Sequence, residues 1–298
     1  MTRFPDLDLS RRTALITGAG RGIGAASARQ LAERGARVVL VDQDREAVTA
    51  TAASIGRGAI ALVADVRDRE AMQAVFDEAA TRAAPVDVVL ANAGVTPPPA
   101  TTRTIDPDDF QRVLDINITG VFNTVRPALA QVIKSHGHVH VTASAAAFAP
   151  GVGGAAYMMS KAAVEQFGRA LRLELAAQGA SVGTTYYGVV DTDLARTTLE
   201  DNPLGPRIGG LLRWPLNQRI TADEAAQTMV DAVERRRPRS VAPWGWAPYS
   251  ALRGIVNPAV DAYLARSSTI HELLRDVEQQ SLDNASAEAS LLRTTAAG

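Results

Sequence analysis

The sequence predicts an α/β protein built on a doubly wound parallel sheet. Short apolar runs alternate with longer amphipathic stretches from Thr13 onward, and a glycine-rich loop lies between the first run and the first stretch. Runs of strand length alternating with stretches of helical apolar spacing are produced by helices that cross between parallel strands.

In chain order, residues 14–17, 38–42, 59–65, 86–91, 139–143 and 182–187 read as successive strands, and residues 24–34, 69–83, 108–135 and 157–177 as covering helices. After Thr192 the regularity breaks. Residues 194–220 mix Gly, Pro and Arg with scattered apolar positions, and read either as a lid or as a surface excursion. Residues 222–236 read as a helix with Thr221 as N-cap. Beyond Pro238, Trp244, Trp246 and Tyr249 precede an apolar stretch that continues to Leu264. That stretch would wall a substrate pocket, pack on a partner subunit or rest on a membrane surface, and its scarcity of charge suits the first two best. From about Ser281 the Ser, Ala and Thr content predicts a frayed end.

The chain of 298 residues is long enough for one large domain. Residues 1–242 are expected to form it, with residues 243–298 as a helical C-terminal extension of the same globular unit. Lys plus Arg (31) nearly balances Asp plus Glu (32), which leaves no basic field for nucleic acid. A small-molecule partner is expected instead. The absence of cysteine excludes disulfides, thiolate metal sites and a cysteine nucleophile. Residues 1–12 lack the apolar core of a signal peptide, and no apolar run approaches the roughly 20 residues of a membrane span. A soluble, cytoplasmic protein is expected.

The glycine-rich loop contains Gly18, Gly20, Arg21, Gly22, Ile23 and Gly24. Glycines allow a sharp turn and close approach to a pyrophosphate, whose charge meets free N–H groups at the helix N-terminus. Asp42 closes the next run, about twenty residues on, where a carboxylate can accept from ribose hydroxyls and repel a 2′-phosphate. NAD is therefore expected rather than NADP, although Arg21 could reach such a phosphate. Tyr157 and Lys161 stand four apart on one helical face, where the ammonium would favour phenolate. Lys134 and Lys161 are the only lysines in the chain.

Three further groups read as structure. His138 and His140 alternate on one strand face and lack a third metal ligand nearby. Asp106, Asp108 and Asp109 read as a helix start. Arg235, Arg236, Arg237 and Arg239 read as a solvated face.

In combination, from Thr13 to Ala195 and more weakly to Ala242, these motifs resemble the short-chain dehydrogenase/reductase family. The loop has that family's Thr-Gly-x-x-x-Gly-x-Gly form. Asp65 and Val66 look like its adenine-contacting pair, and Asn92, Ala93 and Gly94 match its Asn-Asn-Ala-Gly element with Ala91 replacing the first Asn. Asn117 falls in its Asn-x-x-Gly position, and Ser144 precedes Tyr157 by thirteen residues, the family's usual spacing. Where the family has Pro-Gly, this chain has Tyr187-Gly188, and Val190 and Thr192 match the groups that hold the nicotinamide carboxamide.

The resemblance implies a Rossmann-like fold and hydride exchange between NAD and a secondary alcohol or ketone. Tyr157 would transfer the proton, Ser144 would hold the substrate oxygen, Lys161 would lower the Tyr157 pKa and bind the ribose, and Asn117 would position a water. Pro97 to Pro99, Phe148, Tyr187 and the apolar carboxyl region would wall the pocket, suiting a bulky cyclic, aryl or steroid-like substrate. An NADP-dependent reductase of 3-oxoacyl thioesters and a non-catalytic cofactor sensor are the alternatives. The resemblance also implies a homodimer or homotetramer paired through the helices that begin near Asp108 and Tyr157.

Overall fold

The computed structural model describes residues 4–296. Strands β1 (Thr13–Thr17), β2 (Arg37–Asp42), β3 (Ile60–Val63), β4 (Val88–Ala91), β5 (His138–Ser144) and β6 (Ser181–Tyr187) fall where the apolar runs lie. Between them are α1 (Gly22–Glu33), α2 (Arg45–Ile55), α3 (Arg69–Arg82), the succession α4 (Pro107–Leu114), α5 (Gly120–Val125) and α6 (Leu129–Lys134), and α7 (Ala155–Ala176). Helix α2 escapes the periodic reading because it buries only Val48 and Ala52; the Asp44 side chain caps it by accepting from Ala47 N–H.

The irregular stretch after Thr192 contains structure that its composition hides. Strand β7 (Val189–Asp191) pairs with β8 (Arg219–Thr221), and between them lie α8 (Asp193–Leu199) and α9 (Gly205–Gly209). Thr221 does cap α10 (Ala222–Glu234), in a capping box with Glu224. The sheet is completed by β9 (Ser240–Ala242), too short to show a period, followed by α11 (Trp246–Leu264) and α12 (Ser268–Ala296). Helical geometry thus continues past Ser281, where composition predicts fraying. Among the described residues no helix is long and apolar enough to cross a membrane.

The seven-stranded parallel sheet has the order β3-β2-β1-β4-β5-β6-β9. This is a Rossmann-like α/β fold. Its winding reverses between β1 and β4, so the loops leaving their C-terminal ends diverge and open a crevice. One face packs Val139, Val141 and Ala143 of β5 with Phe76 and Leu171, while the other packs Ile16, Leu31, Tyr187 and Met229.

The reading of Arg235, Arg236, Arg237 and Arg239 as a solvated face fails at Arg236, which is partly buried. Arg236 donates to Gly137 O and Ser181 Oγ at 3.0 and 2.9 Å, and Arg239 lies over the Tyr186 ring. The Arg236 guanidinium reaches back over the starts of β5 and β6, and that of Arg239 rests on an aromatic face while remaining exposed.

Candidate active site

The crevice is a cleft of about 810 Å³ that runs from the loop after β1 to the segment carrying α8 and α9. At its first end Gly18 has φ +65°, and a Cβ there would meet Ala93 Cα at 2.9 Å. At Gly24 a Cβ would fall 2.1 Å from Gly18 O, so only glycine lets α1 start this close to β1. Arg21 occupies the N-cap of α1 without a side-chain hydrogen bond to it. The first-turn N–H groups beside Gly22, Ile23 and Gly24 are therefore uncapped by side chains, and they suit a pyrophosphate.

Asp42 ends β2 at the same rim. Its Oδ2 accepts from Gly20 N at 2.9 Å and its Oδ1 from Asp44 N at 3.1 Å. Arg21 is ion-paired with Asp44. Asp65 also lines the cleft; Arg67, which donates to it from backbone and side chain, holds its carboxyl below the usual range. Val66 is buried beside it. Asn92 ties the sheet ends together: its amide donates to Thr17 O at 3.1 Å, and its Oδ1 accepts from Thr142 Oγ1 at 3.2 Å. The Thr17 hydroxyl, which the sequence does not single out, accepts from the N–H groups of Asn92 and Ala93 at 3.1 and 3.3 Å.

The four catalytic candidates converge midway along the cleft. Ser144 is the last residue of β5; its hydroxyl donates to Tyr187 O and accepts from Ala146 N, each at 3.2 Å. Tyr157, in the first turn of α7, is half-buried and hydrogen-bonded with Ser144. One turn on, Lys161 is buried with Nζ 5.6 Å from the centre of the Tyr157 ring, and it donates to Thr142 O at 3.1 Å. Asn117 lies in a π-turn, Asp115–Thr119, that interrupts the helical rod between α4 and α5. Its Oδ1 accepts from Val95 N at 2.8 Å, while Nδ2 donates to Val95 O and Ser160 Oγ, both at 2.9 Å. The Asn117 amide is thus spent on bracing the loop after β4 against α7. Gly94 makes room for this group: a Cβ there would touch Asn117 Oδ1 and Lys161 Nζ at 3.2 and 3.3 Å.

Burial governs the electrostatics. It pushes the Lys161 ammonium down to about 8 and the Tyr157 phenol up, an effect opposed by the hydrogen bond with Ser144. The spacing of Tyr157 and Lys161 predicts a phenol made acidic by its neighbour; in the folded protein desolvation of the phenolate outweighs that attraction. The two shifts run in opposite directions and carry the ammonium below the phenol.

Beyond the four, Gly188 donates to Ala242 O at 2.8 Å, and Val190 and Thr192 line the cleft, with the Thr192 hydroxyl donating to Val190 O at 3.3 Å. One expected pocket wall, Phe148, lies elsewhere, and another, Tyr187, borders the cleft with its hydroxyl turned away from it. The Tyr187 ring turns into the core on the α10 side and its hydroxyl donates to Ala225 O at 2.7 Å, because alternation on β6 sends it to the face opposite Tyr186. Phe148 is buried among Tyr186, Trp246 and Tyr249, at ring-centre separations of 5.7, 6.3 and 6.0 Å. Pro97 and Pro99 do line the cleft, as do Leu199, Ile208 and Trp246, whereas Pro98 between them is exposed and does not. Met158 joins them, a wall whose place beside Tyr157 was readable from the motif.

His138 and His140 are consumed by structure. A hydrogen-bonded chain runs from Ser181 Oγ to His138 Nδ1 (2.8 Å), from His138 Nε2 to His140 Nδ1 (3.1 Å) and from His140 Nε2 to Thr185 Oγ1 (2.7 Å). Asp106 caps α4 by accepting from Asp108 N at 2.7 Å, as a helix start should.

Comparison with known proteins agrees with this geometry. The family model described as short chain dehydrogenase matches residues 12–203. The chain is 35% identical over 252 residues to the probable oxidoreductase EphD of Mycobacterium tuberculosis, covering 80% of this chain but 42% of that protein. It therefore spans about two-fifths of the length of that relative. It is 33% identical over 250 residues to (-)-trans-carveol dehydrogenase of Rhodococcus erythropolis, with 74% of this chain and 90% of that one covered. Among solved structures, 3-ketoacyl-(acyl-carrier-protein) reductase from Brucella melitensis complexed with NADH superposes with a TM-score of 0.72 at 25% identity, over 78% of this chain and 97% of that one. Strands β1 to β6, the glycine loop and the Ser144, Tyr157 and Lys161 cluster all lie within the span that the family model matches, and the chain belongs to the short chain dehydrogenase family of oxidoreductases.

Proposed function

We propose that the protein is an NAD-dependent oxidoreductase that interconverts a secondary alcohol and its ketone. The observation that carries this reading is the convergence of Ser144, Tyr157 and Lys161 in the cleft that begins at the uncapped N-terminus of α1. The bound nicotinamide would accept or supply hydride. In the oxidation direction Tyr157 takes the alcohol proton on its phenolic oxygen, while Ser144 holds the substrate oxygen as charge develops there. Lys161 lies where it can bind the nicotinamide ribose, and Asn117 keeps Val95 and α7 in register around it. Gly188, Val190 and Thr192 would receive the carboxamide.

Cofactor choice follows from the rim. Two carboxylates, Asp42 and Asp44, face the adenosine end, and Arg21 is neutralised by Asp44 rather than free for a 2′-phosphate. That arrangement supports NAD and weighs against the NADP-dependent acyl-thioester reading. Asp65, Val66, Asn92, Ala93 and Gly94 would complete the cofactor site. At the substrate end the walls are Pro97, Pro99, Met158, Leu199, Ile208 and Leu212, which suit a bulky, apolar cyclic, aryl or steroid-like compound. Pairing of subunits through the α4–α6 rod and α7 is supported by Phe122 and Leu173, exposed on those helices at 44% and 78%.

A panel of secondary alcohols and ketones, followed by absorbance of the reduced nicotinamide with NAD and NADP, identifies the reaction. Loss of the general acid–base group in Tyr157→Phe should lower turnover by about 10²–10⁴-fold while leaving NAD binding measurable by fluorescence titration. Full turnover in that variant would refute the assignment, and cofactor binding without turnover in the parent protein would favour a sensor.

A further inference from the structure

Helix α12 runs outside the cleft, yet it touches both of its lips. One lip is the loop after β4, where Pro97 and Pro99 line the cleft and Ala100 N donates to Gly153 O at 3.1 Å. The other is the α8–α9 segment, whose Leu194, Leu199 and Ile208 line the opposite wall. Three consecutive residues of α12 are divided between them. Asp276 accepts from Arg207 of α9 at 2.5 Å. Val277 is fully buried, and its Cγ1 lies 3.3 Å from where a Cβ on Gly153 would stand. Glu278 accepts from Thr101 Oγ1 at 2.8 Å and from Arg103 Nε at 3.1 Å, and one turn on Ser281 donates to Thr104 O at 3.0 Å. Successive helical residues are rotated by about 100°, so Asp276 and Glu278 reach to nearly opposite sides with Val277 pointing down between them.

The two attachments are unequal. On the Thr101 side, Val277 is buried against Gly153, and Glu278 and Ser281 engage the loop. On the α9 side, the Arg207–Asp276 pair has both side chains about half exposed, at 49% and 48%. An exposed ion pair contributes little to stability and is screened by salt, whereas buried apolar contacts are not. The helix is therefore anchored to one lip and releasable from the other.

We propose that the Asp276–Arg207 ion pair is a latch that positions the α8–α9 lip over bound substrate, and that substrate enters and product leaves when this pair opens. The inference rests on reading the cleft beside Tyr157 as the substrate site. Asp276 and Arg207 are positioning residues, acting through Leu194, Leu199 and Ile208. Hydrogen bonds from Arg103 and Thr101 to Glu278 keep α12 in place while the lip moves.

The test uses the full chain with Asp276→Asn and the charge swap Arg207→Asp/Asp276→Arg. Removing the latch should raise KM for the best alcohol of the panel about two- to five-fold, the range an exposed ion pair supplies. The Kd for NAD should not change, and the charge swap should restore the parental KM. Raising NaCl to 0.5 M should bring the parent toward Asp276→Asn and leave that variant unmoved. Independently of turnover, limited trypsin digestion should cut Asp276→Asn faster at Arg196 and Arg213, which flank α9 on the lip. Equal digestion rates and equal KM values in parent and Asp276→Asn would overturn the latch. Should no alcohol or ketone turn over in the parent, the activity reading fails, and the digestion rates alone then decide the latch.

Discussion

The buried imidazole pair makes a quantitative prediction about acid stability. His138 and His140 lie side by side on β5, fully buried, with ring nitrogens shared among Ser181, Thr185 and each other. Desolvation pushes His140 down to about 3, and desolvation with the neighbouring His140 and Arg236 pushes His138 well below its usual value. In the unfolded chain both titrate near about 6.5. The unfolded state therefore binds more protons than the native state below that pH, and stability must fall with acidification. The contribution is complete above pH 6.5 and is lost as pH drops toward the folded values. His140 adds a slope of about 1.4 kcal/mol per pH unit between roughly pH 6 and 4, and His138 adds to it in the same direction.

Glutamine keeps a donor and an acceptor but does not titrate, so His138→Gln/His140→Gln removes the slope whatever its offset at neutral pH. Urea unfolding followed by tryptophan fluorescence, at fixed protein concentration and pH 4.5, 5.5 and 6.5, measures this directly. The parent curve should be steeper than the variant curve by more than about 1 kcal/mol per unit across that window, and the two should run parallel well above pH 7. Parallel curves throughout would refute the burial argument, because imidazoles that take up protons equally in both states contribute no slope.

Asp42→Ala removes a charged acceptor from the adenosine end, worth about 1.5–3 kcal/mol, so the Kd for NAD should rise roughly 10- to 100-fold while that for NADP falls. An unchanged ratio of the two, measured by fluorescence titration, would dismiss the carboxylate as the discriminating group. Gly24→Ala would place a methyl group 2.1 Å from Gly18 O, forcing α1 away from β1. Thermal unfolding should report a loss of about 1–3 kcal/mol, and cofactor affinity should fall with it; a variant with parental melting and binding would show that the loop yields freely.

How much of this could be read beforehand depended on the range of the interaction involved. The principal strands were legible because β1, β4, β5 and β6 are buried on both faces and β2 nearly so, and Ser144 at the end of β5 followed from that placement. Helix α2 and β9 were not. One presents an apolar face of only Val48 and Ala52, and the other is three residues long and exists because β6 offers it an edge. The pocket walls divide in the same way: Pro97 and Pro99 flank a motif already recognised, whereas Phe148 and Tyr187 are bulky residues whose direction depends on what packs behind them.

Residue type and spacing alone determined the alternation of strands and helices, the glycine loop, and the order Asn117, Ser144, Tyr157, Lys161, because each is written in neighbours a few positions apart. Tertiary structure decided the direction in which burial shifts the Tyr157 phenol, the pairing of Arg21 with Asp44, and the fastening of α12 to both lips. Those outcomes depend on solvent exclusion and on partners as many as 177 positions distant, and neither leaves a local periodic signal in the chain.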